Sequence, residues 1–368
     1  YEKFIYFCSN TITMKNIFIL FILSSFIFIS CGNFDDQIQK EKELFESSQY
    51  DLSIQQAKGD FFSPIANDKD LVLNSDPKVN LGYHLYYDPR LSKNSTISCN
   101  SCHNLNSFGV DNEATSLGDD GKTRGGRNSP TVLNAAMHFK QFWDGRAETV
   151  EDQAGMPITN PVEMMIPNED FLVQRLKDID LYKYLFKKAY PKEDQPITYK
   201  NLTNAIGAFE RKLITPSRFD AYLKGDQNAL TLQEKRGMMS FITVGCTQCH
   251  TGPLLGATMF QKFGVHHDYW TLTKSLKIDN GLFDLNKDEN QKFMFKVPSL
   301  RNVEHTAPYF HDGQVKDLKE AVIIMAKVQL DYDLSPQEAD NLTAFLKSLS
   351  GELPESVKIT PQIFAEKK

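Results

Sequence analysis

Two short segments, CNSCH at residues 99–103 and CTQCH at 246–250, restrict what this chain can become more than any other feature. Each places two cysteines three positions apart with a histidine directly after the second. Three readings compete for such a cluster. Zinc would take two thiolates from each pair, but it leaves both histidines as coincidence. A disulfide framework suits an exported chain, yet these four cysteines are few for a body of over 300 residues. C-x-x-C-H is also the attachment pattern of c-type haem, in which both thiols add to the vinyl groups and the adjacent imidazole becomes the axial iron ligand. Only this reading uses every residue type in its order, and it does so twice. Cys99, Cys102 and His103 are therefore expected to hold one haem, and Cys246, Cys249 and His250 a second.

The other two cysteines, Cys8 and Cys31, fall in a leader-like segment. Met14-Lys15 is the credible start, and the apolar run from Ile17 to Ile29 follows it. That run has the length of a signal-peptide core and falls short of the ~20 residues of a membrane span. It ends at FISCGN, where Cys31 follows Ser30 as in a bacterial lipobox, although Phe28 is bulkier than the usual leucine. Residues 1–31 thus predict a leader, export to the periplasm, and a lipid tether on Cys31 as the sole membrane attachment. Export also fits the haem reading, because bacterial c-type maturation takes place outside the cytoplasm. The net charge of -6 argues against nucleic acid as a partner.

Length suggests roughly two domains. The pattern is mainly helical with long loops. SPQEADNLTAFLKSLSG predicts a helix that Ser335 caps, Pro336 starts and Glu338 completes as a capping box. Its Ala339, Leu342, Phe345, Leu346 and Leu349 line one face, and Gly351 ends it. TYKNLTNAIGAFERKLI and TLQEKRGMMSFI predict two more helices, whereas Ser116–Pro130 reads as a loop. One CxxCH lies in each half. The expected organisation is a polar lead-in at 32–70, a haem domain at 71–215, a second at 216–355 and a tail at 356–368.

Several further stretches carry a resemblance. LGYHLYYDPRLS, RNSPTVLNAA, QFWDGRA, VPSLRNVEHTAPYFHDG and LKEAVIIMA flank the two haem motifs, in order, from about Leu81 to Gly351. With ISCNSCHNL and GCTQCHTG they resemble the bacterial dihaem cytochrome c peroxidase family, related to the dihaem enzymes that mature methylamine dehydrogenase. The resemblance implies two cytochrome c-like domains, each with one covalent haem. It also implies reduction of hydrogen peroxide to water at the N-terminal haem. Electrons would come from a small cytochrome or copper protein through the C-terminal haem, and homodimers are common in the family.

The resemblance further assigns roles to residues. Met325 would be the second axial ligand beside His250, a thioether that raises the potential of an electron-entry haem. Glu163 would carry the peroxide proton, Gln153 would orient the peroxide, Pro157 would shape the pocket and Trp143 would relay electrons between the haems. Asn128, through its side chain, and Thr306 and Pro308, through their carbonyls, would hold a calcium ion. His311 matches a family position near the second haem.

One departure stands out. Many family members have a histidine near the end of TSLG that caps the peroxidatic iron in the oxidised state. Here Asp119-Asp120-Gly121-Lys122 follow Gly118, and no histidine occurs between His103 and His138. The expectation is a first haem open at its far side, able to react without prior reduction. His138 is the nearest alternative ligand, with packing as its ordinary role; His84, His266, His267 and His305 read as structural. Two other functions compete: an electron-transfer dihaem cytochrome with both haems six-coordinate, and a dihaem oxidase that modifies a protein partner. Met325 argues against the second, whose best-known example has tyrosine there.

Overall fold

The computed structural model describes residues 20–66 and 76–365. The signal-like run begins in 1–19, with Cys8, and that part lies outside the described residues. Two compact units result, Tyr1–Leu52 and Ser53–Lys368. A helix runs Leu20–Phe61, so the expected lead-in at 32–70 is helical as far as Phe61. No described helix is long and apolar enough to cross a membrane. All that follows concerns the second unit.

That unit is mainly helical, with one two-stranded antiparallel ribbon, Phe260–Lys262 against Met294–Lys296. The three helices expected from sequence appear at Tyr199–Glu210, Leu232–Val244 and Pro336–Lys347. Ser335 and Glu338 make the expected capping box, and Thr231 and Glu234 make another. Residues 116–130 form no helix, as their composition predicts.

The same helix crossing occurs twice. Pro77–Tyr87 packs against Tyr199–Glu210 at Gly82, where a Cβ would lie 1.9 Å from the Ala205 carbonyl oxygen. Leu232–Val244 packs against Pro336–Lys347 at Gly237, where a Cβ would lie 1.9 Å from the Asn341 carbonyl oxygen. Each crossing brings a phenylalanine of the later helix, Phe209 or Phe345, against the glycine. Only glycine permits such a backbone approach. Leu81, Leu85, Leu202 and Ile206 fill the first core, and Phe219, Phe241 and Phe345 pack edge-to-face in the second.

Each end of the unit is anchored in the opposite half. Phe62 joins the aromatic cluster of Phe219, Phe241 and Phe345, while Leu353 and Val357 pack with Val79, Tyr86 and Phe209. The segment around 215 is buried rather than a loose linker. Thr215 Oγ1 accepts from Asn134 Nδ2 and Asn302 Nδ2, both at 2.8 Å, which ties residues of both halves to one hydroxyl.

Candidate haem sites

In the first half, Ser98 caps the turn Cys99–Cys102, and Ser101 returns the capping bond. This single turn presents both thiols on one side. His103 ends it, with Nδ1 3.0 Å from the Pro130 carbonyl oxygen. A carbonyl can only accept, so Nδ1 carries the proton and Nε2 keeps its lone pair for a metal. The second half repeats the device: His250 Nδ1 lies 2.9 Å from the Leu255 carbonyl oxygen. Burial lowers the pKa of both histidines, which favours the neutral ligand form.

All four motif cysteines are free thiols. Among the described residues no three His, Cys, Asp or Glu side chains converge on one metal-ion position, so the pairs do not assemble a zinc site. Instead Cys99, Cys102 and His103 line a cavity of about 800 Å³. That volume lies within the ~300–1,000 Å³ usual for ligand and cofactor sites. Two attachment thiols and a correctly protonated imidazole on such a cavity fit a c-type haem.

The same cavity is lined by the predicted peroxide-handling residues. Gln153 and Pro157 lie one turn apart on the helix Val150–Thr159 and both line the cavity. Pro157 has no N–H to donate, and its carbonyl accepts from Asn160 and Met164, each at 3.2 Å. The chain therefore turns there and brings Glu163 to the same cavity. Asn160 Nδ2 donates to Glu163 Oε1 at 2.9 Å. Burial raises the Glu163 pKa above the usual carboxylate range, against the opposing effects of nearby Arg146 and this hydrogen bond.

Trp143 also lines the cavity. Its Nε1 donates to the Asn128 carbonyl oxygen at 2.9 Å, and its own carbonyl accepts from Lys296 N at 2.7 Å. It thus bridges a loop of the first half and the ribbon of the second. Asn128 N donates to the His311 carbonyl oxygen at 2.7 Å, and Asn112 Nδ2 bonds the carbonyls of His305 and Ala307. These contacts bring Asn128 to the segment that holds Thr306 and Pro308.

Met325 sits half-buried on the helix Leu318–Leu330, which packs against Pro336–Lys347. That helix in turn packs on Leu232–Val244, whose Phe241 ring lies 6.3 Å from the His250 ring.

The loop that lacks a histidine is firmly held. Asp119 is buried and accepts from Ser92 Oγ and Thr96 Oγ1, both at 2.6 Å, and from Asn94 N at 2.7 Å. Its own N–H donates to the Glu163 carbonyl oxygen at 2.8 Å. Asp120 instead caps an exposed turn through Lys122 N and Thr123 N. Both aspartates are therefore committed to holding the loop.

Of the remaining histidines, His84 bonds back to the Asn80 carbonyl, His267 pairs with Asp331 and His305 stacks on Phe108. His311 is buried and stacked on Phe295 at 4.3 Å, with Trp143 6.3 Å away. His138 lines the cavity.

Sequence reasoning missed two buried cavity residues, Glu210 and Lys296. Burial pushes the Glu210 carboxyl up to about 8. Its position four residues after Ile206, on the apolar face of its helix, was the available signal. For Lys296 the signal was a lone cation in the apolar run FMFKV.

A match to the dihaem cytochrome c peroxidase family spans residues 76–228. The chain is 44% identical over 299 residues to the cytochrome c551 peroxidase of Pseudomonas aeruginosa, covering 78% of this chain and 85% of that protein. It is 33% identical over 320 residues to the methylamine utilization protein MauG of Methylorubrum extorquens, covering 83% and 87%. The crystal structure of a MauG-like protein associated with microbial copper homeostasis superposes with a TM-score of 0.69 at 30% identity, over 81% of this chain and 95% of that one. With two haem-attachment turns on duplicated helix crossings and this degree of likeness, the chain belongs to the dihaem cytochrome c peroxidase family, whose members carry two c-type haems.

Proposed function

We propose that this chain reduces hydrogen peroxide to water at the site built on Cys99, Cys102 and His103. Electrons enter from a small cytochrome or copper protein through the site of Cys246, Cys249, His250 and Met325. The observation that carries this reading is the placement of Glu163, Gln153 and Pro157 on the wall of the cavity that the first CxxCH lines. A haem bound there supplies the electrons, and the protein must move protons, since H2O2 + 2H⁺ + 2e⁻ gives 2H2O. Glu163 takes the proton from the near oxygen and delivers it to the leaving one; Asn160 fixes Oε1 in place for both steps. Gln153 orients the peroxide, Pro157 shapes the wall and Trp143 relays electrons between the halves. The test is steady-state peroxide reduction with a reduced small cytochrome as donor. Absence of turnover in protein that carries both haems would leave the electron-transfer alternative standing.

The commitment of Asp119 to Ser92, Asn94 and Thr96 favours a finer reading. An iron held by His103 would then receive no ligand from this loop in any redox state, and the enzyme would need no reductive activation. Mixing the fully oxidised protein with peroxide tests it: inertness until the second haem is reduced would overturn it. Asn128, Thr306 and Pro308 are the proposed calcium ligands. Asn128 Nδ2 is used on the Glu113 carbonyl, which leaves Oδ1 as the metal-facing acceptor. Periplasmic export, the lipid tether on Cys31, the one-haem domains at 71–215 and 216–355 and a homodimer complete the proposal. Met325 favours it over a protein-modifying oxidase.

A further inference from the structure

One pair of cavity residues has no place in the peroxide chemistry. Lys296, at the end of the ribbon strand Met294–Lys296, is 5% exposed, and its Nζ lies 2.8 Å from His138 Nδ1. Both line the cavity with Cys99, Cys102 and His103. Two other cations of this cavity are matched by acids: Arg127 pairs with Asp144 and Asp279, and Arg146 with Asp144. Lys296 has no carboxylate partner among the described residues. Burial alone pushes its pKa down, to about 7.

His138 is equally incomplete. Its Nε2 is buried and makes no hydrogen bond. With Lys296 donating to Nδ1, the ring proton resides on Nε2, so a second donor stands at the other edge of the imidazole from the ammonium group with nothing to receive it. Buried polar groups are normally satisfied and buried charges paired. An unpaired lysine and an orphaned imidazole N–H, joined to each other in one cavity but aimed in different directions, therefore describe donors for two separate anionic groups. A haem carries two propionate carboxylates, which supply that chemistry.

We propose that Lys296 and His138 together bind the two propionates of the haem attached at Cys99 and Cys102. The ammonium group takes one carboxylate, and His138 Nε2–H takes the other. The inference rests on the haem reading of the first CxxCH. It makes His138 a positioning residue through this carboxylate rather than a replacement iron ligand. The second haem is the other source of a carboxylate, since Phe139 N donates to the Ala257 carbonyl oxygen at 3.1 Å, close to that motif. The first is favoured because its attachment residues share the cavity.

The test is a spectroelectrochemical titration of the holoprotein that reads the two haems separately, with haem content from the pyridine haemochrome. A paired lysine stabilises the ferrous state by offsetting propionate charge. Lys296→Met should therefore shift the first haem toward the ferric state by about tenfold, a fall of ~59 mV for one electron. Lys296→Arg should restore the potential. His138→Phe should lower the same potential by less, and it decides the matter if Lys296→Met does not accumulate. Unchanged potentials in fully loaded variants, or a shift confined to the second haem, would overturn the proposal. Fewer than two haems per unaltered chain would instead overturn the haem reading on which it rests.

Discussion

The two halves of the haem-bearing unit share a plan and differ in the residues proposed to serve each histidine. Both use a glycine crossing, Gly82 on Ala205 and Gly237 on Asn341, and both fix a histidine Nδ1 on a backbone carbonyl. In the first half His103 shares a cavity of about 800 Å³ with Glu163, Gln153 and Pro157. The second half provides Met325, half-buried on its own helix. On the proposed reading, a shared scaffold yields one site with proton-moving groups and one with a soft ligand. The chemistry lies in the segments inserted between the crossings, not in the crossings themselves.

The comparison breaks first at Glu163. Glu163→Gln keeps the shape and the contact with Asn160 but removes the base. Peroxide reduction should fall by about 10²–10⁴-fold in kcat/KM, with haem content unchanged. Burial raises this carboxyl, so in the unaltered enzyme kcat/KM should decline as pH falls through a pKa above the ordinary 4.5. A pH profile flat across that region would assign the base elsewhere. The next effect belongs to the second half: Met325→His should lower the potential of that haem alone, on the order of 100 mV within the ~0.8 V that axial ligands span. An equal fall in both haems would show that the sites are not electronically separate.

These two variants also mark how far the sequence could be read. CNSCH and CTQCH announced the haems because attachment chemistry is local, with all its residues within five positions. The cap at Ser335 and Glu338 was legible for the same reason, and the observed helix Pro336–Lys347 starts where the cap predicts. Glu163 by itself reads as a solvated loop carboxylate; only the family resemblance singled it out. The pairing of Lys296 with His138 was legible by neither route, because it is a contact across 158 positions. The burial of Asp119 likewise depends on Ser92, Asn94 and Thr96, more than 20 residues away.

The glycines offer a symmetrical test. Gly82→Ala and Gly237→Ala each drive a Cβ toward a backbone carbonyl oxygen at 1.9 Å, and backbone cannot step aside as a side chain can. Each should cost about 1–3 kcal/mol of overpacking, by equal amounts if the two crossings are equivalent. Thermal unfolding of the holoprotein reads both. A substantially larger loss at one position would show that the duplicated plan carries unequal weight.

The smallest effect probes whether the halves unfold separately. Asp76 accepts from Lys78 N at the entry to the first crossing helix, and Thr231 accepts from Glu234 N at the entry to the second. Asp76→Ala and Thr231→Ala should each cost about 1 kcal/mol. The ends of the unit cross over, with Phe62 in the second aromatic cluster and Val357 in the first core. Thr215 also joins Asn134 to Asn302 at the junction. Neither half can then lose its core without releasing a segment that the other needs. Calorimetry should show a single transition, and either cap variant should lower all of it. Two resolved transitions, each shifted by only one variant, would restore the boundary near 215 as a thermodynamic division and reduce the crossed ends to surface packing.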